Sequence, residues 1–345
     1  MSSSGNEASA PTAARTGAKA GSGVVNFAAN YGLAVIFVLV LIVFGLLRPD
    51  TYLSQSNISN LLTSQAVTAL LALAVMMPLT TGRFDLSVGY HVGFAQIMAI
   101  GLQVNGGLSW PAAAAIVIVL SIVIGAVNGF LVMRLRIDSF IATMGVGSLL
   151  YGISNWYTDG MQIAGFDLPD GYSGLAGAVA GIPIPAIVVA IVGAILWIVL
   201  ERIPAGRGLY FIGSNPRAAE LSGVDVERSV AATFVVAGML CGVAGVLLGA
   251  ILRSGTPSVG PEYLLPAFAA ALLGATSIRP GRVNVGGTLL AILILAFAFS
   301  GVQQLGAAFY VEYLFNGAIL IVAVALSVYA AARRRKAAAG SGAGN

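Results

Sequence analysis

Gly213-Ser214-Asn215-Pro216-Arg217-Ala218-Ala219-Glu220-Leu221-Ser222-Gly223 is the longest polar passage between apolar runs that carries the marks of a folded element. Asn215 is a good helix N-cap, and Pro216 suits the first helical position, where a missing N–H costs nothing. Gly223 accepts the left-handed conformation that ends a helix. The spacing predicts a helix of about two turns. So short a helix is marginal alone in water and has to be held against something, either its own neighbouring helices or another protein. Ala218, Ala219 and Leu221 give it a small apolar side, and Arg217 and Glu220 supply charge for orientation. An ordinary capped loop between two membrane helices fits the same residues.

Working outward, the composition fixes the class. Charged residues make up 9% of the chain and hydrophobic ones 58%, against about 25% charged in soluble domains. The chain is therefore expected to be an all-α, polytopic bundle of transmembrane helices. Its 345 residues have room for about ten spans at roughly 20 residues each. The single cysteine, Cys241, excludes an internal disulfide framework, and the single histidine, His91, excludes two-histidine metal motifs. Lys19 and Lys336 are the only lysines and neither follows a glycine, so no Walker A sequence exists here.

Residues 1–23 read as a disordered cytoplasmic tail, 24–332 as a transmembrane domain containing a cytoplasmic loop at 204–229, and 333–345 as a basic cytoplasmic tail. The run at 31–47 is longer than a signal-peptide core, and Arg48-Pro49-Asp50 offers no small-residue cleavage site, so it reads as the first span. Further spans are expected at 61–80, 84–103, 111–133, 139–157, 184–203, 230–252, 262–277, 285–304 and 309–331. Polar or Gly-rich ends mark 84–103 and 262–277 as candidates for broken or re-entrant helices. With both termini inside, this layout puts all but Arg48 and Arg253 of the 17 basic residues on the cytoplasmic side, as the positive-inside rule requires. The net charge of +4 then reflects topology, and no nucleic-acid partner is implied. Gly82-Arg83-Phe84-Asp85 and Gly281-Arg282-Val283-Asn284 echo one another at two inner connections, either by chance or as an internal repeat.

Ala218-Ala219, three residues, then Gly223 resembles the A-A-x-x-x-G part of the coupling motif of ABC importer permeases. The longer stretch Ala205 to Val224 resembles F-G-R-x-x-Y-A-x-G-x-N-x-x-A-A-x-x-S-G-I of the ribose-type sugar permeases. Thr81 to Gly89, T-G-R-F-D-L-S-V-G, is similar to that family's T-G-G-I-D-L-S-V-G. Similarity runs from about Leu61 to Val322. Arg217 stands where the wider motif has Glu, Ala205 where it has Phe, and Arg83 where it has Gly. The resemblance implies a monosaccharide importer subunit in the bacterial inner membrane, with Gly213, Asn215, Arg217, Ala218, Ala219, Glu220 and Gly223 docking on a separate ATPase. It further implies a second permease copy, as homodimer or heterodimer, an external sugar-binding protein, and surrounding lipid. The chain itself would hold no cofactor, ATP and magnesium belonging to the ATPase, and would do no bond chemistry.

Asp85, Ser87, His91, Gln96, Asn128, Gln303 and Asn316 are candidates for the substrate pathway or gate, since a sugar path needs hydroxyl-matching groups with few fixed charges. Helix-to-helix hydrogen bonding explains the same residues. Asp85 reads as an N-cap of a helix containing Ser87 in its first turn, or as part of an inner gate paired with Arg83 or Arg282. Arg253, and then Arg48, are the outer cations available to an acidic binding protein; a lone arginine at a helix end is the alternative. Gly238, Gly242, Gly245 and Gly249 read as close helix contacts. The other functions weighed are a branched-chain amino-acid permease of the same class, a secondary transporter and a membrane enzyme. Asp85, Glu262 and Glu312 all fall near span ends, which disfavours ion coupling. No nucleophile–base or metal set supports an enzyme.

Overall fold

The computed structural model describes residues 18–308, 310–322 and 325. The described residues are mainly helical, in the order α1 (Ala18–Leu47), α2 (Gln55–Leu79), α3 (Val88–Val104), α4 (Trp110–Met133), α5 (Ser139–Thr158), β1 (Ile163–Ala164), α6 (Asp170–Ser173), β2 (Ala178–Val179), β3 (Ile182–Pro183), α7 (Ile184–Arg202), α8 (Pro204–Ser214), α9 (Pro216–Leu221), α10 (Val226–Leu252), β4 (Ser254–Gly255), α11 (Leu264–Gly274) and α12 (Val285–Gln304). A further apolar helix, α13, runs Tyr310–Val322. Among the described residues five helices, α2, α4, α7, α10 and α12, are long and apolar enough to cross a membrane. α1 begins at Ala18, within the segment read as a tail ending at residue 23. Residues 1–17 and the basic tail at 333–345 lie outside the described residues.

α2 and α10 form the centre. Leu70 to Met76 of α2 are fully enclosed, and Leu240, Cys241, Ala244, Leu247 and Leu248 of α10 join the same core. Between α4 and α10 the contact is backbone on backbone. A Cβ on Gly125 would strike the Phe234 carbonyl, and one on Gly238 would strike the Ser121 carbonyl and Gly125. Gly245 lies against Ala95 of α3 and Gly249 against the Tyr172 hydroxyl, so the four small residues of α10 serve three different neighbours.

Two segments cross the bundle without being continuous helices. Pro78 lacks an N–H, and the hydroxyls of Thr80 and Thr81 bond the Met77 and Pro78 carbonyls (2.6 and 2.8 Å), which ends α2. Gly82 then takes φ +75° and the chain runs irregularly to α3 at Val88. On the other side, α11 has 11 residues and at about 1.5 Å each is too short to cross roughly 30 Å of hydrocarbon alone. It is preceded by β4 and a 3-10 turn at Gly260–Tyr263. The two broken segments touch one another at Gly89, Gly93 and Gly260, where a side chain on any of the three would meet backbone of the facing segment.

The ends of the bundle are distinct. At one, β1 pairs antiparallel with β4, Ile163 opposite Gly255, and the Gly165 N–H donates to the Arg253 carbonyl at 3.0 Å. At the other, α8 and α9 lie against the ends of α2, α4 and α5. If α4 and α10 are held by backbone contact, Gly238→Val should lower the melting temperature in detergent, reflecting about 1–3 kcal/mol of overpacking. Gly145→Val, with nothing within 4 Å of its Cβ, should change it little; equal melting points for the two variants would rule the idea out.

Candidate functional site

The loop expected at 204–229 is two helices. Pro204 opens α8, and Gly206 lets it fold back onto α7, since a Cβ there would strike the Val199 carbonyl and Leu200. Leu209 and Ile212 face inward. The Tyr210 hydroxyl donates to the Val283 carbonyl at 2.9 Å, and the Arg282 guanidinium lies 3.8 Å from the Tyr210 ring centre. Burial, with the Glu201 charge added, pushes the phenol up to about 12, so it remains a donor. Sequence reasoning missed α8, although Pro204 followed by the Leu209–Ile212 spacing marks a short amphipathic helix.

α9 follows at once. Asn215 Oδ1 accepts from the Ala218 N–H at 3.1 Å, and Gly223 takes φ +83°. Ser222 N–H to Ala218 and Val224 N–H to Ala219 (3.0 and 3.1 Å) satisfy the last carbonyls. The apolar side differs from expectation. Ala219 is fully buried with Ile212, Val132, Ala142, Val230 and Phe234, Ala218 is half-buried, and Leu221 is 80% exposed. Two residues on an α-helix are about 200° apart, so Ala219 and Leu221 cannot share a face. The outward surface is therefore Arg217, Glu220 and Leu221, two charges with a large apolar residue beside them.

Gly213, at the joint between α8 and α9, sits on the end of α2. A Cβ there would collide with the Thr80 carbonyl, and the Gly213 carbonyl is 4.0 Å from a Cβ placed on Gly82. The two sequence passages singled out above, 81–89 and 205–224, are thus in contact.

Behind that contact lies Asp85, 2% exposed. Its Oδ1 accepts from the backbone N–H and the hydroxyl of Ser87 (3.0 and 2.5 Å), and Asn128 Nδ2 donates to the Ser87 hydroxyl at 2.8 Å. Asp85 is not the N-cap of α3, which begins at Val88 with Ser87 in the cap position. Nor does it pair with Arg83 or Arg282: among the described residues no ion pair includes it, and Arg282 is committed to Tyr210. The backbone of the irregular stretch is held from α5, Phe84 N–H donating to the Ser139 hydroxyl (3.2 Å) and Leu86 N–H to the Thr143 hydroxyl (2.9 Å). The second half of the echo is built alike. Gly281 takes φ +83°, Asn284 Oδ1 accepts from the Gly287 N–H at 2.8 Å, and Asn284 Nδ2 donates to the Ser277 and Arg282 carbonyls (both 3.1 Å).

Of the remaining polar candidates, His91 and Gln96 are fully buried. Gln96 Nε2 donates to the Ser254 carbonyl at 2.7 Å, while His91 Nε2, Gln96 Oε1 and Asn128 Oδ1 have no partner among the described residues. Gln303 is exposed on α12, apart from that cluster, and its neighbour Gln304 accepts from the Thr51 hydroxyl at 2.8 Å. Asn316 stands in the wall of a separate cavity between α2, α12 and α13. Arg253 is exposed at the left-handed end of α10 (φ +52°), and Arg48 is exposed after α1. Among the described residues no group of three or more His, Cys, Asp or Glu could hold a metal ion.

The family model described as "Branched-chain amino acid transport system / permease component" matches residues 57–324. The chain is 35% identical to the ribose import permease protein of Bacillus subtilis over 300 residues, covering 84% of this chain and 90% of that protein. It is 30% identical to the D-allose transport system permease protein of Escherichia coli over 86% of this chain and 91% of that protein. It is 32% identical to the galactose/methyl galactoside import permease protein of Haemophilus influenzae over 88% and 95%. No solved structure matches significantly. With most of its length matched both by the family model and by curated permeases, the chain belongs to this family of transport-system permease components and is a multi-pass protein of the cell membrane.

Proposed function

We propose that this chain is the membrane-spanning subunit of an ATP-driven importer for a monosaccharide or a related small polyol. The observation that carries the reading is α9: a short helix capped at both ends, buried through Ala219, and presenting Arg217, Glu220 and Leu221 to solvent. A helix of six residues held this way is an element made to be pushed on. The ribose, allose and galactose permeases that match the chain support a sugar over a branched-chain amino acid.

On this reading the chain crosses the membrane about ten times, two of the crossings being broken, with its termini and α8–α9 in the cytoplasm. Two copies, or this chain and a close relative, present two α9 helices to two ATPase subunits, which hold the ATP and magnesium. Closure of the ATPases displaces α9, and the displacement passes through Gly213 and Ala219 into the ends of α2, α4 and α10. An external sugar-binding protein delivers the solute at the β1–β4 end, where Arg253 and Arg48 are the cations available to its acidic surface.

Native purification in gentle detergent should retain a Walker-A protein, and deletion of 214–223 should lose it; a chain that purifies alone and moves solute without ATP would overturn the reading. Leu221→Asp should weaken the ATPase about tenfold or more without affecting membrane insertion, as loss of one central apolar contact does. Gly223→Val, forced into a left-handed conformation that a β-branched residue resists, should cut solute uptake and leave insertion intact; normal uptake would count against α9 as the coupling element. Arg253→Glu should reduce binding-protein affinity, and an unchanged affinity removes Arg253 from that contact.

A further inference from the structure

The cavity behind Asn316 has a volume of about 520 Å³, within the roughly 300–1,000 Å³ range of small-molecule sites. It lies against Thr68 near the middle of α2 and against the central turns of α12, with α13, the start of α11 and the 3-10 turn before it completing the wall. Adjoining it, and sharing Gln65, Ile292 and Ala296 in its wall, is a second hollow of about 180 Å³ whose lining is apolar except for Gln65. The larger one is built differently.

Its polar groups are left waiting. Thr68 is 5% exposed and Asn316 9% exposed, and both face the cavity with no hydrogen-bond partner among the described residues. A buried hydroxyl and a buried amide in that condition are satisfied by whatever occupies the space. Glu262 and Glu312 face it as well, close enough for the Glu262 charge to act on Glu312, and neither is in an ion pair among the described residues. Among the described residues no lysine or arginine lines the cavity. Tyr263 and Tyr313 add ring surfaces. Carboxylates accept hydrogen bonds from neighbouring hydroxyls, an amide both donates and accepts, and aromatic rings cover the C–H face of a compact ring. A carboxylate or phosphate ester would meet two like charges and no cation.

We infer, resting on the importer reading above, that this chamber holds the solute in transit, and that Glu262, Glu312 and Asn316 select an uncharged polyhydroxyl compound and reject anionic ones. Asp85, His91 and Gln96, enclosed on every side, then belong to the packing of the bundle and not to the solute path.

The test has two arms, both with the full complex in liposomes. In the first, Thr68→Cys, or Ser64→Cys if that variant is poorly made, is exposed to small cationic and anionic methanethiosulfonates; the wild-type chain, whose Cys241 is buried, sets the background. The cationic reagent should react about tenfold faster or more, since a cleft of one charge concentrates its counter-ion. The Glu262→Gln/Glu312→Gln pair should remove the preference. In the second arm ribose, galactose and leucine uptake are measured. Asn316→Leu should lower uptake of the imported monosaccharide about tenfold or more, with binding-protein-stimulated ATP hydrolysis retained. No labelling, labelling without charge preference, or unchanged uptake in Asn316→Leu overturns the chamber. Leucine import in place of either sugar overturns the choice of solute and the importer's sugar reading together, while cation-preferring labelling in that case keeps the chamber as the passage.

Discussion

Every backbone N–H and C=O inside an apolar bundle has to be bonded within the protein, and the structure is arranged around two places where the helices themselves cannot do it. Between α2 and α3 the chain abandons the helix for the residues from Gly82 to Ser87. Two of its N–H groups are taken by hydroxyls of α5, and a third by the Asp85 carboxylate. Between α11 and α12 the Asn284 amide does similar work, giving hydrogen bonds to carbonyls and taking one from the first turn of α12. Irregular backbone at this depth is tolerable only with such partners. Ser139, Thr143, Asp85 and Asn284 are accordingly buried polar residues whose first duty is to the main chain.

Close approach is the second requirement, and it follows from the first. The first turns of α3 meet the 3-10 turn before α11 through Gly89, Gly93 and Gly260, and α10 meets α4 through Gly238 and Gly125. Lipid gives helices little hydrophobic reason to associate, so dispersion between closely packed surfaces takes that place. A methyl group at any of these positions would open a gap along a whole helix face. The glycines therefore set the distance at which the hydroxyls and amides can reach their carbonyls.

Much of this was legible in the chain itself. Asn215, Pro216 and Gly223 announced α9 because capping is local chemistry, fixed by a few residues. The glycine spacing on α10 announced close contact, though not that the contact is shared among α4, α3 and Tyr172. What the sequence could not disclose is which buried groups face one another. Asp85 lies beside two candidate arginines in sequence or motif, yet its partner is Ser87, while Arg282 lies over Tyr210 from a helix that sequence reasoning took for loop. Leu221 was assigned to the buried side and points outward, because a passage of mixed small residues does not reveal the phase of so short a helix. Glu262 and Glu312 read as unremarkable span ends until the fold set them across one cavity.

α10 has 27 residues, which at about 1.5 Å each makes a rod of some 40 Å. One end begins at the Asp225 cap, immediately after α9; the other ends in the left-handed Arg253, stitched to β1 through its carbonyl. Along its length it bears on α4 with backbone against backbone, and such a joint has no side chains that can change rotamer and absorb a movement. A rod with stiff bearings transmits position and not merely tendency. Displacement of such a rod at its Asp225 end is geometrically tied to displacement at its Arg253 end, with no relay of switching side chains needed between them.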